Sequence, residues 1–238
     1  MLLATLIFLG LAVLCIAGLA LARIRPWAEA LAAVACGGLW WAARKSGLPL
    51  LTDVLLILGA GLFGCLVSRI VREKAILLPV ALTAVLVDTW GVYFGFVSDV
   101  SRHQPQVVSQ LSAPLPIAAK ALSAVPVLGS IGVGDFAFLG LFLAATARLG
   151  LQWRATLAWV LGLLLVGPTA IMGISAAFGY QLDVLPGLFF LAVALVAANR
   201  RHFALKRPEW FALLYTVLVV LGVIGLYTLT RVLLRRGT

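Results

Sequence analysis

The sequence predicts an all-α fold, a polytopic transmembrane bundle of about eight helices, and three observations carry that expectation. Of the 238 residues, 63% are hydrophobic and only 11% are charged, with a mean hydropathy of +1.15. A soluble domain that apolar lacks the polar groups to cover its surface, so lipid is the expected solvent. The apolar residues fall in runs of roughly 20, the length of a helix that crosses hydrocarbon, where backbone amides must be satisfied within each segment. Basic residues cluster between these runs, 18 Lys+Arg against 8 Asp+Glu. The net charge of +10 therefore reads as loop charge beside a lipid bilayer, and no nucleic-acid partner is expected.

Taken in order, residues 2–22 are the first expected span. Ala20-Leu21-Ala22 resembles a signal-peptide cleavage site, but no basic stretch precedes it and the run is long enough to cross a bilayer. Spans at 27–43, 49–68 and 75–97 follow, punctuated by charged clusters, Pro and Gly. The connection at 98–124 carries Pro105, Pro114 and Pro116 and is the one long loop; a gate or substrate-entry element and a plain connector are both open for it. Further spans are expected at 125–147, 153–177, 183–199 and 210–230. Trp27, Trp40, Trp41, Trp153 and Trp210 lie near span ends, where an indole suits the headgroup layer.

Cys15, Cys36 and Cys65 sit inside apolar runs without metal-ligand spacing and read as small hydrophobes. No metal and no cofactor are expected. Alternate loops are unequally basic. Arg23, Arg25, Arg69, Arg72, Lys74, Arg148, Arg154, Arg200, Arg201, Lys206 and Arg207 fall on one side, and Arg44, Lys45, Arg102, Lys120, Arg231, Arg235 and Arg236 on the other. The positive-inside rule then places both termini and the 98–124 loop outside, although the basic C-terminus pulls the other way.

Most acidic residues are explained by position. Glu29, Glu73, Asp99, Asp183 and Glu209 lie near span ends, and Asp53 a few residues inside its span is placed to cap or snorkel. Asp88 and Asp135 differ, because each is flanked by apolar residues on both sides. An acid at mid-helix costs roughly 2.5–3.5 kcal/mol even on the lenient insertion scale. One such acid is readily explained as a hydrogen-bonding group between helices. Two, without Lys, Arg or His at similar depth, point elsewhere: neighbouring carboxyls neutralise one another only by sharing a proton. The ionised member can take a proton from water as that water attacks a peptide carbonyl, while the protonated member donates to the developing oxyanion.

Asp135 follows Gly132 and Gly134, which loosen a helix and let another backbone approach; ordinary glycine-mediated helix packing gives the same pattern. Gly91 and Gly95 form a GxxxG face just after Asp88. Leu185-Pro186-Gly187-Leu188 opens the seventh span, where Pro removes an amide donor and Gly removes bulk, leaving backbone groups that an extended peptide can pair with; a proline in a helix's first turn is also commonplace.

With these residues in place, the chain resembles the GxGD intramembrane aspartyl proteases, the presenilin and signal peptide peptidase family, in a short prokaryotic-type form. Gly132-Val133-Gly134-Asp135-Phe136 matches the second catalytic motif, Asp88 looks like the first catalytic aspartate, and Leu185-Pro186-Gly187-Leu188 is similar to the Pro-Ala-Leu motif, with Gly187 in place of Ala. Val87 stands where the family usually has Tyr. Short connections make 1–238 a single membrane domain; the resemblance covers 75–200 and implies a catalytic core there, while the three-helix part at 1–74 and the extra C-terminal helix at 205–238 depart from the family's pattern. It implies an Asp88/Asp135 dyad, substrate-binding roles for Gly132, Gly134, Leu185, Pro186, Gly187 and Leu188, and no cofactor. Its substrates would be transmembrane segments of other proteins, cut in the prokaryotic inner membrane. Two other readings use the same acids. A prepilin-type peptidase typically has Lys two positions after the aspartate, where this chain has Ala137, and a proton-coupled transporter would be favoured by inverted repeats, which the two halves do not show.

Overall fold

The computed structural model describes residues 2–22, 24–93, 112–114, 130–178, 187–203 and 207–236. Among them the fold is all-α apart from one short ribbon: eight α-helices, α1 (Leu2–Leu21), α2 (Pro26–Lys45), α3 (Pro49–Ser68), α4 (Leu77–Tyr93), α5 (Val133–Arg148), α6 (Trp153–Phe178), α7 (Gly187–Asn199) and α8 (Arg207–Arg236), with strands β1 (Ser112–Pro114) and β2 (Ser130–Gly132) between α4 and α5. Two helical stretches, Pro49–Ser68 and Lys74–Gly91, are long and apolar enough to cross a membrane, and shorter apolar stretches occur at Ile7–Leu21, Trp153–Leu164, Gly187–Asn199 and Leu213–Thr228.

Local sequence sets the ends of several helices. Proline occupies the first helical position of α2 and α3, where its missing amide has no partner to lose. α2 ends at Gly47, whose φ of +68° is the left-handed geometry glycine tolerates, with Leu48 N–H donating to Ala43 O and Gly47 N–H to Arg44 O. Gly150 closes α5 the same way, at φ +66° with Leu151 N–H on Thr146 O.

One boundary departs from the sequence expectation. Within the span expected at 125–147, α5 begins at Val133, because Ser130–Gly132 is extended and pairs antiparallel with Ser112–Pro114, Gly132 opposite Ser112; residues 125–129 lie outside the described residues. Asp135 is therefore in the first turn of α5, not in mid-helix. Leu185, Pro186, Asp183, Gly95 and the 98–124 loop apart from 112–114 lie outside the described residues.

The core centres on α3 against α5, with Val13 and Ile16 of α1, Leu191 and Leu195 of α7 and Phe136, Leu139 and Phe142 of α5 buried together. Glycines make the α3–α5 crossing possible. A Cβ at Gly64 would overlap the Ala137 carbonyl oxygen, and one at Gly140 the Gly61 carbonyl oxygen. Such backbone contact is how small residues hold helices together where lipid removes the usual hydrophobic drive.

One end of the bundle is pinned by polar bonds. Arg69, just past α3, donates from Nε to Glu29 Oε2 at 2.7 Å and from Nη2 to Glu29 Oε1 at 2.8 Å and to Ile24 O at 2.7 Å. Glu29 is 4% exposed, so the expectation of a solvated acid at a span end is corrected: it is buried in a bidentate ion pair. That hydrogen bond holds the Arg69 guanidinium above its already high ordinary pKa. Arg148 Nη1 donates to Ser68 Oγ at 3.0 Å, and buried Asn199 accepts from Gln152 N–H and donates to Thr156 Oγ1, both at 2.8 Å.

Candidate active site

Asp88 lies in the last third of α4, and Asp135 in the first turn of α5. The element that joins them is the start of α7. The Asp88 carboxyl accepts a hydrogen bond from the Leu188 backbone amide. The Asp135 carboxyl rests on the neighbouring residue, since a Cβ at Gly187 would stand 2.6 Å from its Oδ1 and 2.8 Å from its Cγ. Asp135 also accepts from the Gly132 backbone amide, a third-position acid reaching back to its own helix's cap residue as in a capping box. The two carboxyls are close enough for their charges to interact.

This arrangement explains how two acids sit among apolar side chains without a basic partner. The ion pair found among the described residues is Glu29–Arg69, away from both acids. Instead, both carboxyls face the first turns of helices, α5 for Asp135 and α7 for both. First-turn amides lack an intrahelical acceptor, so they can donate to a carboxyl oxygen where no cation is at hand. One group is left wanting. Oδ2 of Asp88 is buried and makes no hydrogen bond, so it is an acceptor for a proton donor such as a water or a protonated Asp135.

Beside Asp88 opens a cavity of about 570 Å³, lined by Val80, Thr83, Ala84, Val87 and Gly91 of α4, Phe138 of α5, Leu188 of α7 and Thr216 of α8. Its volume lies in the range of small-molecule and peptide sites, and its walls are almost wholly apolar apart from the acid.

The residues expected from sequence therefore separate. Asp88, Asp135, Gly187 and Leu188 come together. Gly132 contributes its amide rather than space: a Cβ there would meet Asp135 Oδ2 at 3.6 Å, an ordinary contact, and a Cβ at Gly134 would meet nothing within 4 Å. The close backbone approach expected beside Asp135 occurs further along α5, at Ala137 and Gly140. Gly91 is buried and lines the cavity. Sequence reasoning missed Phe138, Thr83, Thr216 and the α3 glycines; the run Gly59, Gly61 and Gly64 was the signal available for the last.

Fold and site together define a helical protein with a half-buried carboxyl pair beside a helix N-terminus. No family model matches the chain, and no curated protein or solved structure is significantly similar to it.

Proposed function

We propose that the chain is a multi-pass membrane protein of about eight spans, residing in a prokaryotic inner membrane, and that it is an intramembrane aspartyl endopeptidase. Lipid as solvent is supported by the many large apolar side chains on the surface, among them Val34 at 74% exposure, Leu50 at 77% and Phe211 at 71%. Trp27, Trp41 and Trp210, all more than half exposed, suit the headgroup layer.

One observation carries the enzymatic reading: acids from α4 and α5 converge on the Gly187–Leu188 backbone, three separate segments meeting in the order that the GxGD resemblance implies. A single proton shared by the pair gives the chemistry. The ionised carboxylate accepts a proton from water as its oxygen bonds to the peptide carbonyl carbon, while the protonated carboxyl donates to the carbonyl oxygen. The resulting gem-diol collapses as a carboxyl proton passes to the amide nitrogen. The C–N bond then breaks, releasing a carboxylic acid and an amine. The substrate helix must unwind to expose its carbonyl. The cavity beside Asp88 offers room for the unwound segment, and open space over Gly134 leaves backbone accessible next to Asp135.

The test is cleavage of labelled transmembrane peptides by the purified chain in proteoliposomes, with products identified by mass. Asp88→Asn and Asp135→Asn are each expected to lower turnover by at least a thousandfold while the helical content is retained, since neither amide can replace the proton transfer. Undiminished cleavage in either variant would sink the proposal. Proton flux lost in those variants, with no cleavage by the parent, would assign the acids to transport instead.

A further inference from the structure

The cavity at Asp88 has three walls from the bundle and a fourth that is attached differently. α4 and α5 each pack on α7, and Phe138 and Leu188 belong to the buried or half-buried core. The fourth wall is α8, which contributes Thr216. At 30 residues α8 is the longest helix, yet Leu213 is its one buried side chain among those described. Leu214, Leu218, Val223 and Leu226 stand between 57% and 65% exposed. Among the described elements its main neighbour is α4, and one side-chain contact between them is edge-to-face: the rings of Trp90 and Tyr227 lie 5.0 Å apart at 87°. Such a pair is worth about 0.5–1.5 kcal/mol beyond its buried area.

A helix held mainly on one neighbour and wetted by lipid over most of its surface opens at lower cost than any packed within the core. Its position matters because Trp90 is two residues from Asp88 and lines the same cavity. We propose that α8 is a lateral gate: it lies across the lipid-facing mouth of the Asp88 cavity, latched by the Tyr227–Trp90 contact, and its displacement from α4 admits the helix to be cut. The latching of Asp88 access stands on the packing alone; that a transmembrane helix is what enters rests on the endopeptidase reading.

Accessibility separates the two. In the full-length chain with Cys15, Cys36 and Cys65 replaced by Ala, Asp88→Cys supplies one thiol in the cavity, and its labelling by N-ethylmaleimide in liposomes reads how often the gate opens. Adding Tyr227→Ala is expected to raise the labelling rate at least fivefold. Tyr227→Phe, which keeps the ring edge, should leave it slow, as should Leu226→Ala on the exposed face of the same helix. Equal rates in Tyr227→Ala and the parent overturn the gate and leave the protease proposal standing. Faster labelling in Tyr227→Ala, with no peptide cleavage by the native chain, upholds the gate and overturns the protease.

Discussion

The Asp135 carboxyl and the Gly187 backbone occupy adjoining space so closely that a methyl group at residue 187 would stand 2.6 Å from Oδ1, well inside van der Waals contact. Gly187→Ala must therefore turn the carboxyl away from the α7 N-terminus, because α7 is anchored through Leu188 and Leu191 in the core. The carboxyl is the end of a short side chain, so the fold absorbs the change. The expected result is an unfolding midpoint near that of the native chain and a turnover lowered about 10- to 100-fold, the usual consequence of moving a reacting group by about 1 Å. Circular dichroism melts beside the peptide assay check both halves. The resembled family carries Ala here, so this chain's glycine belongs with its own placement of the acid. The acids themselves were legible from the energetics of charge in lipid. Their shared seat was not, because Gly187 lies far along the chain and its contact with Asp135 exists only once α5 and α7 pack.

Elements were legible where local rules decide them. Runs of apolar residues, Pro at helix starts and Gly at 47 and 150 mark α1 to α3 and the end of α5. The start of α5 was hidden, since Ser-Ile-Gly at 130–132 carries no local strand signal and is extended beside a partner strand about 20 residues earlier. The run Gly59, Gly61 and Gly64 marks α3 for a close crossing but not its partner: a small residue on an open face and one facing a backbone read alike until the partner helix is known. Gly38 and Gly64 show the difference. A Cβ at Gly38 meets nothing within 4 Å, whereas one at Gly64 overlaps the Ala137 carbonyl. Gly64→Ala is expected to cost about 3 kcal/mol by forcing α3 and α5 apart, and to lower turnover because α5 carries Asp135. Gly38→Ala should be neutral or gain up to about 1 kcal/mol from helix propensity. Reversible unfolding in mixed micelles measures both, and equal effects would mean that the crossing does not hold α5 in place.

Across the whole molecule, polar bonds gather the end of α1, the start of α2, the ends of α3 and α5, the start of α6 and the end of α7 at one pole. Consecutive helices from α1 to α3 and from α5 to α7 therefore alternate in direction, and this pole is the one that carries the larger share of Arg and Lys. Three helices independently fix how far the acids lie from it. Leu77 to Asp88 along α4, Asp135 to Arg148 along α5 and Gly187 to Asn199 along α7 each span about 17–20 Å at 1.5 Å per residue. If the bundle spans a bilayer as proposed, then against a hydrocarbon core of about 30 Å the carboxyl pair sits past the midplane, nearer the less basic face. On the proposed multi-pass reading, the orientation that the positive-inside rule favours has the basic pole cytoplasmic and the acids in the outer half of the membrane. The endopeptidase proposal then predicts that a substrate helix lying alongside α4 is cut in its outer half, within about 10–13 Å of its extracytoplasmic end. Mass spectrometry of products from peptides of known orientation locates the bond. Cuts confined to the cytoplasmic half would mean that the basic pole faces outward, while the geometry relating the three helices to the acids would stand.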